Sequence, residues 1–291
     1  MDTIPLGHAA PPAALLFFTA VVALAVGSFL NVVILRLPRR LAWQWQFSAA
    51  SKETVTDPAE PPPGLVRPGS QCPACNYSIR WWENIPLLSY VLLRGRCSRC
   101  DAPISLRYPA VEALTALLSI SVVWILGLDW HTAAALVLTW GLIVLSFIDL
   151  DHMLLPDVIT LPLLWLGLLV NLAGGFCDIS SAVIGAVSGY LVLWFIFHAY
   201  RMVSGREGFG YGDFKLLAAL GAWLGWQMLP LVLLLASLSG AVLGIALILL
   251  TRREAQQPLS FGPYLAAAGW IALLWGDTFL DSYLHFAVIN V

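Results

Sequence analysis

Charge is what this sequence has least of: Asp, Glu, Lys and Arg together make up 11% of its 291 residues. Beside 59% hydrophobic residues and a mean hydropathy of +0.82, that scarcity excludes an ordinary soluble surface. Other absences narrow the class further. Met1 to Pro12 holds no Lys or Arg and carries Asp2, so no cleavable signal peptide is expected and the first apolar run should stay as an anchor. His8, His131, His152, His198 and His285 are scattered without metal-ligand spacing. No Rossmann-type glycine fingerprint occurs, and no nucleic-acid partner is expected.

What the chain has instead is long apolar runs. A helix needs ~20 apolar residues to cross a bilayer, and runs near 13–35, 110–128, 132–149, 158–174, 181–200, 213–228, 229–250 and 261–279 meet or approach that length. The expected fold is an all-α polytopic membrane protein of about eight transmembrane helices, with the lipid bilayer as its solvent. Cytoplasmic loops carry the Lys and Arg excess. Under an even number of spans, all fifteen Lys and Arg fall on one side. They are Arg36, Arg39, Arg40, Lys52, Arg67, Arg80, Arg94, Arg96, Arg99 and Arg107 after the first span, Arg201, Arg206 and Lys215 around the fifth-to-sixth connection, and Arg252 and Arg253 after the seventh. The opposite connections hold only Asp129 and Asp178, with Asp277 and Asp281 in the tail, so both termini are expected to face outward.

Two acids stand where apolar runs meet polar loops. Asp149 ends the run Gly141 to Ile148, and Asp213 follows Gly210-Tyr211-Gly212 and precedes Phe214-Lys215. A carboxylate at membrane depth is costly to keep and marks a functional site. The glycines allow close backbone approach. Both acids fall at the cytoplasmic end of the bundle, where a pair sharing one proton and activating a water would have aspartic-protease chemistry. Asp151 and Asp157 are rivals for the first role, although both read as solvated or as helix caps. Lys215 is expected either to tune Asp213 or to anchor at the lipid interface.

The one sizeable polar piece, roughly 36–109, is too small to build a large core unaided. Ser48 to Gly69, with Pro61-Pro62-Pro63, reads as irregular or extended. After it come Cys72-Pro73-Ala74-Cys75 and Cys97-Ser98-Arg99-Cys100, two C-x-x-C pairs at the spacing of a four-cysteine zinc site. Two disulfides, a redox pair and coincidence are the competing readings. A reducing cytoplasm disfavours disulfides, and a redox motif needs no second copy. Four thiolates leave no open coordination position, so the zinc is expected to be structural and to fold the module. Cys177 has no partner in the chain and reads as an ordinary thiol.

Packing is the bland reading of the remaining features. Gly185-x-x-x-Gly189, Gly221-x-x-x-Gly225 and Gly240-x-x-x-Gly244 are small-residue faces for close helix approach. Trp130, Trp140, Trp165, Trp223, Trp226 and Trp275 suit interface belts or bundle contacts. For Gly27-Ser28-Phe29-Leu30-Asn31, Glu83-Asn84-Ile85-Pro86 and Ser260-Phe261-Gly262-Pro263-Tyr264, packing and function both stay open.

Taken in order, these segments resemble the type IV prepilin peptidases, bifunctional enzymes of the GxGD aspartic class. The resemblance covers almost the whole chain. It is carried by Gly27-Ser28-Phe29-Leu30-Asn31-Val32 with Arg36-Leu37-Pro38, the paired C-x-x-C, Glu83-Asn84-Ile85-Pro86, Arg94-Gly95-Arg96-Cys97 and Tyr108-Pro109-x-x-Glu112. It continues through Asp149-x-Asp151 with Leu155-Pro156-Asp157, Gly210-x-Gly212-Asp213-x-Lys215 and Phe261-Gly262-Pro263. The resemblance implies a substrate with a short basic leader before an apolar helix, the precursor of a pilin or pseudopilin. Such a precursor would be cut at the cytoplasmic face of the bacterial inner membrane, and its new amine methylated with S-adenosylmethionine. Asp149 and Asp213 would be the catalytic acids, with Gly210, Gly212 and Lys215 supporting them. Cys72, Cys75, Cys97 and Cys100 would hold the metal, and the methyl-donor site would fall on the cytoplasmic module and adjacent span ends. The domains expected are the first span (1–35), the cysteine module (36–109) and a seven-helix peptidase domain (110–291). Two readings from other classes remain: an ion- or proton-coupled transporter using the same acids, and a zinc-dependent membrane assembly protein. Acids at one face rather than at midplane on broken helices count against the transporter.

Overall fold

A computed structural model describes residues 11–49, 61–205, 210–251 and 260–289. Lys52, Arg206, Arg252, Arg253 and part of the Ser48 to Gly69 stretch therefore lie outside the described residues. The chain folds into helices α1 (Ala13–Ala49), α2 (Leu88–Leu92), α3 (Arg107–Leu126), α4 (Trp130–His152), α5 (Asp157–Leu172), α6 (Ile179–Ser204), α7 (Tyr211–Leu224), α8 (Leu229–Thr251) and α9 (Gly262–Ile289). Among the described residues the only β pairing is two isolated bridges. Every apolar run read from the sequence has become a helix. Five segments, Ala13–Gln46, Arg107–Leu126, Trp130–His152, Ile179–Ser204 and Trp226–Ala246, are long and apolar enough to cross a membrane on their own. The protein is a multi-pass membrane protein. Two compact units divide between Trp124 and Ile125.

In the first unit α1 runs well past residue 35, continuing through Pro38 to Ala49. At ~1.5 Å per residue it is about 55 Å long, more than a ~30 Å hydrocarbon core requires. Arg36, on this extension, donates to the carbonyls of Gly64 (2.7 Å), Pro68 (2.7 Å) and Gly69 (3.0 Å), which fastens the loop to the helix. The Gly27 to Asn31 segment is a packing device. A Cβ on Gly27 would lie 2.8 Å from Cα of Glu112, and the buried Asn31 amide donates to the Tyr108 carbonyl at 3.0 Å, so α1 and α3 meet backbone to backbone.

The second unit is organised around α7. Its fourteen residues rise only about 21 Å, too short to span alone. It has no need to, because Leu216 to Leu224 are all buried and α5, α6, α8 and α9 pack around it. The sequence reading carried this span to residue 228, whereas α7 ends at Leu224, and Gly225 (φ +81°) turns the chain into a short 3₁₀ segment, Trp226–Met228. Gly185 of α6 and Gly221 of α7 approach so closely that a Cβ on either would strike the other's carbonyl, and Gly189 sits against Leu217 in the same way. On the α5 side, Trp223 is fully buried and its Nε1 donates to Leu163 O at 2.8 Å. Asn171 closes the C-terminal end of α7 by donating to the carbonyls of Ala222 (2.7 Å) and Trp223 (3.0 Å), while its own Oδ1 accepts from Phe176 N (2.7 Å) and Cys177 N (3.0 Å). A buried amide with its hydrogen bonds satisfied on both sides sets the seating of α7 against α5.

Candidate active site and cysteine cluster

Asp149 and Asp213 come to opposite kinds of helix end. Asp149 lies in the last turn of α4, which Met153 closes in a left-handed conformation (φ 51°) with its N–H on the Asp149 carbonyl at 2.8 Å. Asp213 lies in the first turn of α7. Both side chains are buried, at 5% and 6% exposure, and Asp213 is near enough to feel the charge of Asp149. Each acid has one oxygen fixed by a glycine backbone N–H. Gly262 N donates to Asp149 Oδ2 at 3.0 Å, and Gly210 N donates to Asp213 Oδ2 at 3.1 Å. The other Asp213 oxygen, Oδ1, is buried without a hydrogen-bond partner among the described residues. A buried carboxylate oxygen left open in this way is a receptor for a proton, a water or a substrate group.

The glycines of the site differ in what they are for. A Cβ on Gly262 would stand 2.6 Å from Asp149 Oδ2, and one on Gly212 would stand 2.7 Å from Cβ of Leu155. A Cβ on Gly210 would find only ordinary contact, 3.6 Å from Asp213 Oδ2, and its φ of −81° suits any residue. Leu155 is buried and packs against both glycine-bearing helix starts, since its Cδ2 would also lie 3.2 Å from a Gly262 Cβ.

Lys215 does not turn to Asp213. Its Nζ contacts both carboxylate oxygens of Asp157 at 2.7 Å, which ties the second turn of α7 to the first turn of α5. Asp157 thus neither stands alone in solvent nor caps α5 through its side chain; it is half-exposed and ion-paired. Asp151 and His152 are exposed at the end of α4. The Ser260 to Tyr264 segment, which could have been packing alone, supplies the Gly262 N–H to Asp149. Asn171, a polar residue inside an apolar run, had that single signal in the sequence.

In the first unit the four cysteines form two matching knuckles. Gln71 bridges Ser78 around Cys72 and Cys75, and Arg96 bridges Pro103 around Cys97 and Cys100. Cys72 N donates to Tyr77 O and Cys97 N to Ala102 O, both at 2.9 Å, and the residue after each second cysteine is left-handed, Asn76 at φ 53° and Asp101 at φ 55°. All four Sγ atoms lie within 4.8 Å of one another, with Cys72 to Cys100 at 3.8 Å. A tetrahedron of thiolates at ~2.3 Å from zinc has edges of about 3.8 Å, so the donor set fits that ion. Backbone N–H groups of Cys75 and Ala74 pull the Cys72 thiol down to about 6. Cys100 is pushed up to about 12: the Ala102 backbone works the other way, but the neighbouring thiols, Cys75 first, outweigh it. One thiolate suppressing the next is what a cation at the centre would relieve. Glu83 ties the intervening segment to the second knuckle. The Ser98 hydroxyl, then the Arg80 N–H, hold its carboxyl below the usual carboxylate range.

Residues 21–126 match the bacterial peptidase A24 N-terminal domain, and residues 136–245 match the type IV leader peptidase family. The chain is 61% identical over 264 residues to a prepilin leader peptidase/N-methyltransferase of Aeromonas hydrophila, covering 90% of this chain and 91% of the relative. It is 53% identical to the protein of that name from Pseudomonas aeruginosa over 282 residues, 96% of this chain and 97% of the relative, and 46% identical to one from Xanthomonas campestris over 265 residues, 91% and 92%. No solved structure matches the chain. A buried acid pair and a cysteine quartet that could hold a metal, on a multi-pass helical frame, fit a membrane-embedded aspartic protease class. The chain belongs to the type IV leader peptidase family.

Proposed function

We propose that this protein removes the basic leader from type IV prepilins and pseudopilins and then N-methylates the new terminal residue with S-adenosylmethionine. The observation that carries the peptidase reading is the pair of buried acids, each pinned through one oxygen by a glycine N–H, with Asp213 Oδ1 left open. Lys215 is committed to Asp157, so the pair must share a proton rather than lean on a nearby cation. Water held between the acids gives its proton to the ionised carboxylate and attacks the scissile carbonyl carbon, which the protonated carboxyl polarises. The C–N bond then breaks as a proton passes to the leaving amine. The dyad titrates as a unit. Gly210, Gly212 and Lys215 support this geometry from the start of α7.

The methyl donor supplies an electrophilic methyl group on sulfur. Its site is assigned to the module and adjacent span ends. The described residues form no strand, so a Rossmann-type cradle is not what would hold it. Cys72, Cys75, Cys97 and Cys100 would hold one structural zinc, which folds the module and takes no part in hydrolysis.

The domain plan proposed is a first span within 1–35, a cytoplasmic module within 36–109 and a seven-helix peptidase domain within 110–291. Eight spans in the bacterial inner membrane would place both termini in the periplasm and the acids at the cytoplasmic face, as the segregation of basic residues supports. Cysteine labelling should find positions 129, 178 and 281 outside and positions 60, 206 and 254 inside; an inward position 178 would separate the acids across the membrane and remove this topology. Cleavage of a pilin precursor by purified protein in detergent tests the activity itself, because neither a transporter nor an assembly protein predicts it.

A further inference from the structure

Between the knuckles lies a short segment whose apolar side chains are exposed among the described residues, with Trp81 edge-on to Trp82 at 5.5 Å. Trp81, Val91 and Leu92 are 77%, 71% and 72% exposed, and Trp82, Ile85 and Leu88 are exposed beside them. A water-facing patch of this kind is uncommon on a soluble module. Its level is set by one hydrogen bond. Leu87 N donates at 2.9 Å to Oε2 of Glu112, which is buried in the second turn of the membrane-length helix Arg107–Leu126. Leu87 itself takes a positive φ of 58°, so the chain is turned sharply there and α2 starts alongside the end of a span rather than out in solvent. The surrounding charge is predominantly positive: residues 61–109 contain six arginines against two acids, Asp101 and Glu83, the latter within the segment itself. Arg80 and Arg94 flank the patch, and the Arg80 guanidinium lies 5.2 Å over the Trp82 ring.

We propose that Trp81–Leu92 is a membrane-interface segment, seated in the headgroup and upper acyl region of the leaflet on the module's side, and that the leaflet it fits is rich in anionic lipid. Tryptophan rings partition to that depth. Leu88, Val91 and Leu92 bury there as the apolar face of a monotopic element, while Arg80 and Arg94 meet lipid phosphates. The seating fixes the module against the membrane without any protein partner.

The test uses the full-length protein in nanodiscs of phosphatidylethanolamine with phosphatidylglycerol, containing lipid brominated either near the headgroup or deep in the chain. The fluorescence difference between the unaltered protein and Trp81→Phe/Trp82→Phe isolates the two rings. Shallow bromines should quench at least half of that difference and deep bromines clearly less, with quenching weakened in purely zwitterionic discs. As a measure independent of substitution, amide exchange across residues 81–92 should be several-fold slower in anionic than in zwitterionic discs. Rings quenched by aqueous iodide but not by either brominated lipid would overturn the proposal. Shielding that appears only when a pilin precursor is added, or only at concentrations where the protein self-associates, would also overturn it by giving the patch to a protein.

Discussion

The acid pair and the cysteine quartet solve the same problem, holding groups that resist being brought together, by opposite means. Asp149 and Asp213 are positioned by helix ends and glycine N–H groups whose places are set by packing around α7. The cysteines sit on loops with little core beneath them, and their order rests on two backbone knuckles and, on the reading proposed above, on a cation that would neutralise the thiolates. A site held by packing fails through small steric changes nearby, whereas a site held by an ion fails through loss of the ion.

The largest effects are expected at the acids. Asp149→Asn and Asp213→Asn should each lower precursor cleavage by about 10²–10⁴-fold, because an amide can neither ionise nor pass the proton. Metal content of the protein should be unchanged in both. Asp151→Asn and Asp157→Asn should keep more activity; near-normal cleavage by either dyad variant would remove the assignment.

Next in size are Cys72→Ser and Cys100→Ser: elemental analysis should find roughly one metal per chain in the unaltered protein and its loss in both variants. Methylation should fall at least as far as cleavage. Acid should do the same reversibly. Cys72 is held down to about 6 from an ordinary value near 9, so its thiolate contributes above that ordinary value and the contribution is lost as pH falls through about 6. A bound cation competes with the proton for the same sulfur and holds the thiolate to lower pH still, so metal release should occur only below that value and should be reversed on neutralisation; a metal content independent of pH down to the point of unfolding would count against thiolate ligation.

Steric insertion comes third. Gly262→Ala places a methyl against Asp149 Oδ2 and should cost about 10²-fold in cleavage through misplacement of the acid, whereas Gly210→Ala, which meets only ordinary van der Waals contact, should cost far less. Equal losses for the two would show that space at Asp149 is not what Gly262 provides. The smallest effect belongs to Lys215→Met. An exposed ion pair stabilises by only about 0–1 kcal/mol, so thermal stability in detergent should barely move, while cleavage should fall modestly and match that of Asp157→Asn.

Much of this was legible in advance because lipid forces the backbone into helices wherever the sequence stays apolar. Asp149, Asp213 and the four cysteines stood out as groups out of keeping with their surroundings. The end of α1 was not legible, since Arg36, Pro38, Arg39 and Arg40 look like the close of a span although the helix runs on through them. Lys215 was misleading for a geometric reason. Residues two apart on a helix point in different directions, so nearness to Asp213 in sequence carried its ammonium to Asp157 instead. The Gly262 bond to Asp149 joins residues 113 apart, which no local pattern announces.

The matched left-handed residues Asn76 and Asp101 carry a consequence for assembly. Each knuckle presents its two thiols from a turn that its own backbone closes, so a metal would meet two bidentate claws rather than four independent ligands. Once one claw has captured the ion, the second binds intramolecularly at an effective concentration set by the tether between them. The module should therefore load in two steps, with the half-loaded form detectable in a variant that keeps only one knuckle.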